Sequence, residues 1–213
     1  MPEHQFITFP ESQNHTPADL YTAMQAVPRS TLYICSPVTT RMGLGREYEQ
    51  ADIRTVKEAN FRLTHTHLQG LQQVFPLDTQ SLLLPGMLGE RKTHDRLWDE
   101  VEYNTLLFLI WLGISPQSAS DFADCVLLTQ DEREKMSVYT DGPEQRKRYY
   151  EVFQSKIVNA ATTLGYDAMP MLVLPRWELS LGCTLEVEIA RELNIPVQFV
   201  HIEGGLYRTV DRT

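Results

Sequence analysis

The sequence is poor in cysteine and in basic charge, and each shortage excludes a class of protein. Its 213 residues include only three cysteines, Cys35, Cys125 and Cys183. An odd number of cysteines, no two of them close in the sequence, argues against a disulfide framework and against a cysteine-based zinc site. The formal net charge is -9, whereas proteins that coat duplex nucleic acid are usually basic because they neutralise phosphates. We therefore expect no duplex nucleic-acid partner.

Long apolar runs are also missing. The longest apolar stretch, Leu106–Ile114, is much shorter than the about 20 residues that span a bilayer. The first twelve residues are polar and lack the apolar segment of a signal peptide. We expect a protein of the reducing cytoplasm with no membrane partner. What the chain does contain is typical of a globular domain, with 42% hydrophobic and 22% charged residues.

The common nucleotide-binding and metal-binding motifs are absent. Gly43-Leu-Gly45 is too short for a dinucleotide fingerprint, and neither GxGxxG nor GxxxxGK[ST] occurs. His65 and His67 lie two residues apart on a predicted helix, which places their rings on different faces. That spacing argues against a histidine metal pair, because helical ligand pairs are usually four residues apart.

Apolar strand-like runs alternate along the chain with helical patterns. The predicted strands are Thr31–Val38, Val74–Leu77, Cys125–Thr129, Met169–Leu174 and Pro196–Ile202, and the main predicted helices are Glu47–Gln73, Arg96–Gly113, Glu144–Leu164 and Cys183–Leu193. Such alternation favours an α/β fold. We predict a Rossmann-like or flavodoxin-like, mostly parallel sheet of about five strands with helices on both faces.

The domain organisation follows from this pattern. We predict that residues 1–30 form an N-terminal arm with a short helix. Residues 31–213 are predicted to form a single α/β nucleotide-site domain with an insertion at 80–143. The apolar stretch Leu106–Ile114 ends a predicted helix that is apolar all round, so it is expected in the core or in a subunit interface.

The most informative segment runs from a buried strand into a helix near the C-terminus. A loop with Ser180 and Gly182 leads to a helix predicted to start at about Cys183. The first backbone amides of a helix have no internal partners and favour an anion. Glu186 lies one turn into this helix. From the local pattern alone, an ordinary glutamate that stabilises the helix dipole by less than about 1 kcal/mol is the simpler interpretation.

A longer motif changes that balance. The run LPRWELSLGCTLEVEIA, residues 174–190, resembles the signature of the nucleoside 2-deoxyribosyltransferase-like superfamily. It is most similar to small bacterial and phage branches with the ending LPGWE-S-G-x-x-x-E-x-x-x-A. The opening TLYICSPV resembles the first strand of that superfamily, and RTVKEAN and VFPLDT are similar to those branches as well. Residues 80–143 have no counterpart.

The resemblance implies an activity and a set of site residues. In that superfamily a glutamate attacks the anomeric carbon of a nucleoside or nucleotide, and Glu186 matches this nucleophile. Tyr33 matches a tyrosine near the reacting sugar. The remaining matches are the 5′-phosphate site at Ser180, Gly182 and the helix start Cys183, and a loop that contacts base or phosphate at Thr39, Thr40 and Arg41. The resemblance implies no metal and no organic cofactor, a small-molecule nucleoside or nucleotide partner, and a homo-oligomer.

One departure from the family pattern leaves two functions open. Asn159 occupies the position of the family's aspartate, and an amide can hold a sugar hydroxyl or orient Glu186 but cannot exchange a proton. Asp78 or Asp167 could substitute for it. The leading function is therefore an N-glycosidase or 2-deoxyribosyltransferase-like enzyme, and the alternative is a non-catalytic nucleotide-binding or sensing module. Trp177, in the same loop, either packs against the core or stacks on a base.

Overall fold

The computed structural model describes residues 22, 32–75, 82–83, 108–125, 129, 131–132 and 143–211. The chain divides into two compact units. The first, which we call the sheet unit, consists mainly of Ser30–Met87 and Pro170–Thr213. The second, the helical unit, consists mainly of Leu88–Met169. The predicted N-terminal arm lies outside the described residues, except for Thr22, which is helical and exposed.

The sheet unit contains five strands in the order β2-β1-β3-β4-β5. The first four are parallel to one another, and β5 runs antiparallel to β4. This confirms the predicted α/β fold with a mostly parallel five-stranded sheet. The strands are β1 Leu32–Cys35, β2 Leu82–Leu83, β3 Met171–Val173, β4 Val197–Glu203 and β5 Leu206–Asp211.

One face of the sheet is covered by helix α1, Ile53–Gln72. The side chain of Asp52 begins this helix by accepting a hydrogen bond from the Thr55 amide at 3.0 Å, as an N-cap should. The His67 side chain of α1 contacts the Tyr207 hydroxyl of β5 at 3.1 Å, and beside this polar pair alternate residues of the strands form an apolar cluster with α1. Its buried members are Ile34, Leu68, Leu71, Leu172, Leu174 and Val200.

The opposite face carries helix α4, Leu181–Glu192. Tyr33 and Cys35 alternate with Ile34 along β1, and both contact α4. The predicted helices on both faces are therefore confirmed. Leu185 and Ile189 of α4 are buried.

The order of the strands creates a topological switch point between β1 and β3. Strand β2 is the neighbour of β1 on one side, and β3 is its neighbour on the other side, so the chain crosses from one side of β1 to the other between β2 and β3. In open α/β sheets, ligands bind in the crevice outside the carboxyl ends of the strands at such a point. Here the switch point lies between the loop that follows β1 and the loop that joins β3 to α4.

The helical unit contains α2, Ala119–Cys125, and α3, Pro143–Leu164, and residues 108–112 are also helical. Helix α3 confirms the predicted Glu144–Leu164, and Gly165 ends it with a positive φ of 81°. Phe108 packs edge-on against Phe153 with ring centroids 5.4 Å apart. Trp111 is fully buried and its indole donates to the Met169 carbonyl at 3.1 Å.

This packing explains why the stretch Leu106–Ile114 is so apolar, without the need for a partner subunit. Residues 108–112 and Ile114 are buried within the protein itself, so they are not free to form the subunit interface considered for Leu106–Ile114. Residues 106 and 107 lie outside the described part. The oligomeric state stays a prediction, as do the boundaries of the 80–143 insertion.

The described residues of two predicted strands, Val74–Leu77 and Cys125–Thr129, are not strand. Val74 and Phe75 form the turn that ends α1, and their amides donate to the Leu71 carbonyl at 3.0 and 2.7 Å. Cys125 ends helix α2 rather than beginning a strand. Residues 76–77 and 126–128 lie outside the described part. A short apolar run does not distinguish a strand from the end of a helix, which explains both differences.

Strand β5 was not predicted, although the sequence carries a signal for it. Gly204 and Gly205 have φ values of 56° and 82° and connect β4 to β5. Two positive φ angles in a two-residue loop are typical of the tight turn of a hairpin, and glycine adopts them without strain. Among the described residues, no helix has the length and apolar character needed to cross a membrane.

Candidate functional site

The centre of the candidate site is the carboxyl group of Glu186, which α4 presents to β1. The Tyr33 hydroxyl donates a hydrogen bond to Glu186 Oε1 at 2.8 Å. The second oxygen, Oε2, is buried and has no hydrogen-bond partner. Glu188, two residues further along the same helix, is exposed. The structure therefore brings together two predicted site residues, Tyr33 and Glu186, and buries a carboxylate with one oxygen unused.

Burial dominates the electrostatics of this group. Desolvation raises the pKa of Glu186 to about 7, against the smaller opposing effects of the Cys35 thiol and the Tyr33 hydroxyl. The thiol is close enough to act on the carboxyl group, but it forms no hydrogen bond of ordinary geometry with Oε2. Burial, and next the neighbouring Glu186, raise the pKa of Tyr33 well above its usual range. The phenol therefore stays protonated and serves as a donor.

Two cysteines lie beside this carboxyl group. Cys35 and Cys183 are both buried and unoxidised. Their sulfur atoms and a carboxylate oxygen of Glu186 all lie within 4.8 Å of one another. The two cysteines are 148 positions apart in the sequence, yet the fold brings them together, so distance in the sequence does not exclude a shared site. Sequence analysis missed Cys35, because its alternation with Ile34 on a short buried strand reveals no chemistry.

The start of α4 is built around Ser180. Its hydroxyl accepts a hydrogen bond from the Cys183 amide at 3.4 Å, and its carbonyl accepts from the Thr184 amide at 2.9 Å. Ser180 is thus the N-cap of the helix. A side chain added at Gly182 would meet only Ser180 Oγ, at 3.9 Å, so there is open space beside the first turn. The phosphate-binding roles of Ser180, Gly182 and Cys183 stay predictions.

Trp177 lies in a short 3-10 turn, Trp177–Leu179, just before this helix. Its ring packs at a tilt of 53° against Phe199, with centroids 5.2 Å apart. The side chain is half-buried. Packing against the core is therefore established for Trp177, while contact with a base stays a prediction.

In the predicted ligand loop after β1, the Arg41 side chain binds backbone carbonyls of the residues that follow. The Arg41 guanidinium donates to the carbonyl of Tyr48 at 3.1 Å and also to that of Ala51. Thr39 is exposed, and the Thr40 side chain is half-buried. In this arrangement Arg41 braces the loop, and contacts of these three residues with base or phosphate stay predictions.

Asn60 and Arg176 connect this loop to the rest of the sheet unit. The buried Asn60 amide donates to the carbonyls of Val38 and Thr40 at 3.0 and 2.9 Å. Its oxygen accepts from Arg176 at 3.2 Å. Arg176 also donates to the Met42 carbonyl. Sequence analysis overlooked both residues.

The backbone of Arg176 is unusual. Its φ of 73° lies in the left-handed region, where a residue other than glycine is strained by about 1–3 kcal/mol unless surrounding contacts hold it. The resembling motif has glycine at this position, so the exchange of glycine for arginine was the available signal. The hydrogen bonds of the guanidinium explain how the conformation is maintained.

Asn159 belongs to the helical unit, and its side chain is exposed. Its carbonyl accepts a hydrogen bond from the Thr162 hydroxyl at 3.0 Å. Asp167 is also exposed and lies in the same unit, while Asp78 lies outside the described residues. Neither Asn159 nor Asp167 is among the groups of the sheet unit that surround Glu186, and their roles in proton transfer stay predictions.

Comparisons with known proteins give no match, whether with family models, with curated proteins or with solved structures.

Proposed function

We propose that the chain is a nucleoside or 5′-nucleotide N-glycosidase, or a related 2-deoxyribosyltransferase, in which Glu186 is the nucleophile. The observation that carries this proposal is the half-buried carboxyl group of Glu186, whose Oε1 is held by Tyr33 while the buried Oε2 has no partner. The hydrogen bond from Tyr33 fixes the orientation of the carboxyl group.

The reaction follows from this arrangement. Oε2 forms a bond to the anomeric carbon as the N-glycosidic bond breaks, and the bonding electron pair leaves with the base, which takes up a proton. Water, or an acceptor base, then displaces the sugar from Glu186. The transition state is electron-poor at the anomeric carbon, and a desolvated carboxylate stabilises that developing positive charge strongly. The raised pKa of Glu186 reflects the same lack of a positive partner in the free protein.

The position of the group in the fold supports a phosphorylated substrate. Glu186 lies one turn after the amino end of α4, which starts at the carboxyl edge of the sheet near the switch point. The first amides of a helix attract phosphate, and the space beside Gly182 is open. A 5′-phosphate bound there would anchor a sugar next to the carboxyl group. In keeping with the family resemblance, we propose a homo-oligomer that acts in the cytoplasm.

Release of free base tests the proposal. The reduced, chelator-treated protein is incubated with a panel of nucleosides and nucleoside 5′-monophosphates, and the free base is measured by chromatography. Glu186→Gln is expected to lower the rate by about 10³-fold or more, as loss of a nucleophile does. Glu188→Gln, an exposed position on the same helix, is the matched control and should keep the rate. Equal base release by wild type and Glu186→Gln would contradict the proposed role.

One observation favours the second candidate, a nucleotide-binding module without catalysis. The leaving base needs a proton donor, yet the pKa of Glu186 is shifted only by burial, Cys35 and Tyr33. No second carboxyl group of the described part is among these influences. Equilibrium binding decides between the two functions, because nucleotide binding without any release of base would support the module and exclude the enzyme.

A further inference from the structure

Two buried cysteines and a half-buried glutamate, all with metal-binding chemistry, meet between β1 and α4. Cys35, Cys183 and Glu186 each offer one donor atom, and these atoms lie within 4.8 Å of one another. Around a tetrahedral zinc ion, two sulfurs and one oxygen would lie about 3.5–3.8 Å apart, given the usual metal–ligand distances. Because the observed atoms lie within 4.8 Å of one another, the cluster needs to contract by no more than about 1.3 Å to reach that geometry.

We propose that Cys35, Cys183 and Glu186 form a binding site for a thiophilic divalent cation of the zinc class. Two thiolates and one carboxylate suit such a cation, whereas Mg²⁺ and Ca²⁺ prefer oxygen ligands alone. Three protein ligands leave a fourth position open to water or to a small ligand. The inference goes beyond the proposed function and does not depend on it.

The unpartnered oxygen of Glu186 is the second observation behind this site. Buried cysteines alone are common core residues and need no ligand. A buried carboxylate oxygen without a hydrogen bond is costly, however, and calls for a partner. Oε2 of Glu186 is such an oxygen, and an oxygen of the same carboxyl group lies within 4.8 Å of both sulfurs. A cation bound there would satisfy it.

Tyr33 completes the arrangement from outside the ligand set. Its hydroxyl donates to Oε1 of Glu186 at 2.8 Å, which leaves Oε2 for the cation. Carboxylate ligands in metal sites are typically oriented by a hydrogen bond of this kind. Tyr33 is therefore a positioning residue. Binding would release the protons of the two thiols, and the resulting negative charges would surround the cation.

The cation and a sugar would compete for one atom. The proposed nucleophile attacks through Oε2, and the same oxygen would bind the metal. The metal-loaded protein should therefore release no base, even if the metal-free protein is active. This makes the cluster a point at which a thiophilic cation inhibits the proposed reaction.

Cadmium titration tests the site directly. The full-length chain is reduced, freed of metal with a chelator and titrated with Cd²⁺ while the ultraviolet thiolate-to-cadmium charge-transfer band is recorded. We expect saturation at one equivalent. Cys35→Ala and Cys183→Ala should each abolish or severely weaken the band, whereas Cys125→Ala, which removes the third cysteine, should leave it unchanged.

Two further variants keep all the thiols and test the rest of the site. Glu186→Gln should weaken cadmium binding by about tenfold or more, and Tyr33→Phe by about tenfold. Circular dichroism checks that each variant is folded. If the cysteine variants do not fold, the affinities of these two variants decide the question.

Several outcomes would overturn the inference. They are the absence of a band in the wild type, a band that survives in folded Cys35→Ala or Cys183→Ala, and cadmium affinities of Glu186→Gln and Tyr33→Phe equal to that of the wild type. A cadmium band without base release from the metal-free protein would support the cation site and contradict the proposed glycosidase. Base release without a cadmium band would support the glycosidase and contradict the cation site.

Discussion

The two faces of the sheet differ sharply, although a single strand contributes to both. Ile34 of β1 points to the α1 face, where it belongs to an apolar cluster. Tyr33 and Cys35, its neighbours in sequence, point to the α4 face and meet a buried carboxyl group. Parallel sheets are covered on both sides, so both faces are removed from water. The comparison indicates that the apolar cluster on one face supplies stability, while the other face holds a carboxyl group that is costly to bury.

The largest stability effect is expected on the apolar face. Leu172→Ala should lower the free energy of unfolding by about 3 kcal/mol, because it removes buried methyl groups and leaves a cavity. Leu172 is 2% exposed. Urea unfolding measures the loss, which should be the same at pH 5 and pH 8. As a control, Leu206→Ala, at a residue that is 61% exposed, should change stability by less than about 0.5 kcal/mol. A loss of stability in Leu172→Ala that depends strongly on pH would contradict the proposed difference between the two faces.

On the α4 face, the substitution Glu186→Gln should raise the free energy of unfolding rather than lower it. Burial raises the pKa of Glu186 from 4.5 to about 7, so between these values the folded chain holds a proton that the unfolded chain has released. Stability from this group therefore falls as pH rises across that window, by about 3 kcal/mol in total. Glu186→Gln removes the effect. In metal-free protein the variant should match the wild type near pH 4.5 and exceed its stability by about 3 kcal/mol above pH 8.

Thermal or urea unfolding at several pH values checks this prediction. The difference between variant and wild type isolates Glu186 from carboxyl groups with lowered pKa, such as Asp52 and Glu132. Glu188→Gln is the control and should show no such divergence with pH. A Glu186→Gln variant that is less stable than the wild type at pH 8 would mean that the ionised carboxylate has a favourable partner.

The smallest effect is expected at the edge of the α4 face. Ser180→Ala removes the N-cap of α4 and should cost about 1 kcal/mol. Ser180→Asn keeps a side-chain acceptor and should restore most of the loss. Urea unfolding again measures both. If Ser180→Ala has no effect on stability, the 3.4 Å contact with the Cys183 amide does not act as a cap.

Much of the fold was predictable, because strong local signals agree with the final packing. The long helix α3, its end at Gly165 and the strands β1, β3 and β4 follow from apolar pattern and turn residues. The predictions failed where a short apolar run had no context. Val74 and Phe75 look like a strand but close a helix, and Cys125 ends one. The Gly204-Gly205 pair indicates a hairpin turn, but the strand that follows it was not predicted.

The candidate site was predictable only in part. The motif around Glu186, and the resemblance it carries, singled out Tyr33 as a partner, and the two side chains do meet. Cys35 had no such signal, since only the tertiary fold places it beside a helix 148 positions away. Asn60 was missed for the same reason, because it acts through backbone carbonyls that no sequence pattern marks. Arg176 carried one signal, the exchange of the motif's glycine for arginine, but its contacts with the other loop are set by the tertiary fold.

The bonds made by Arg176 couple the two loops beside the switch point. Its backbone belongs to the loop after β3, while its guanidinium is attached to Asn60 and to Met42 in the loop after β1. Local opening of a protein proceeds in cooperative units defined by such contacts. The amides of both loops should therefore exchange their hydrogens for deuterium together. An occupant of the crevice that slows exchange in one loop should slow it in the other.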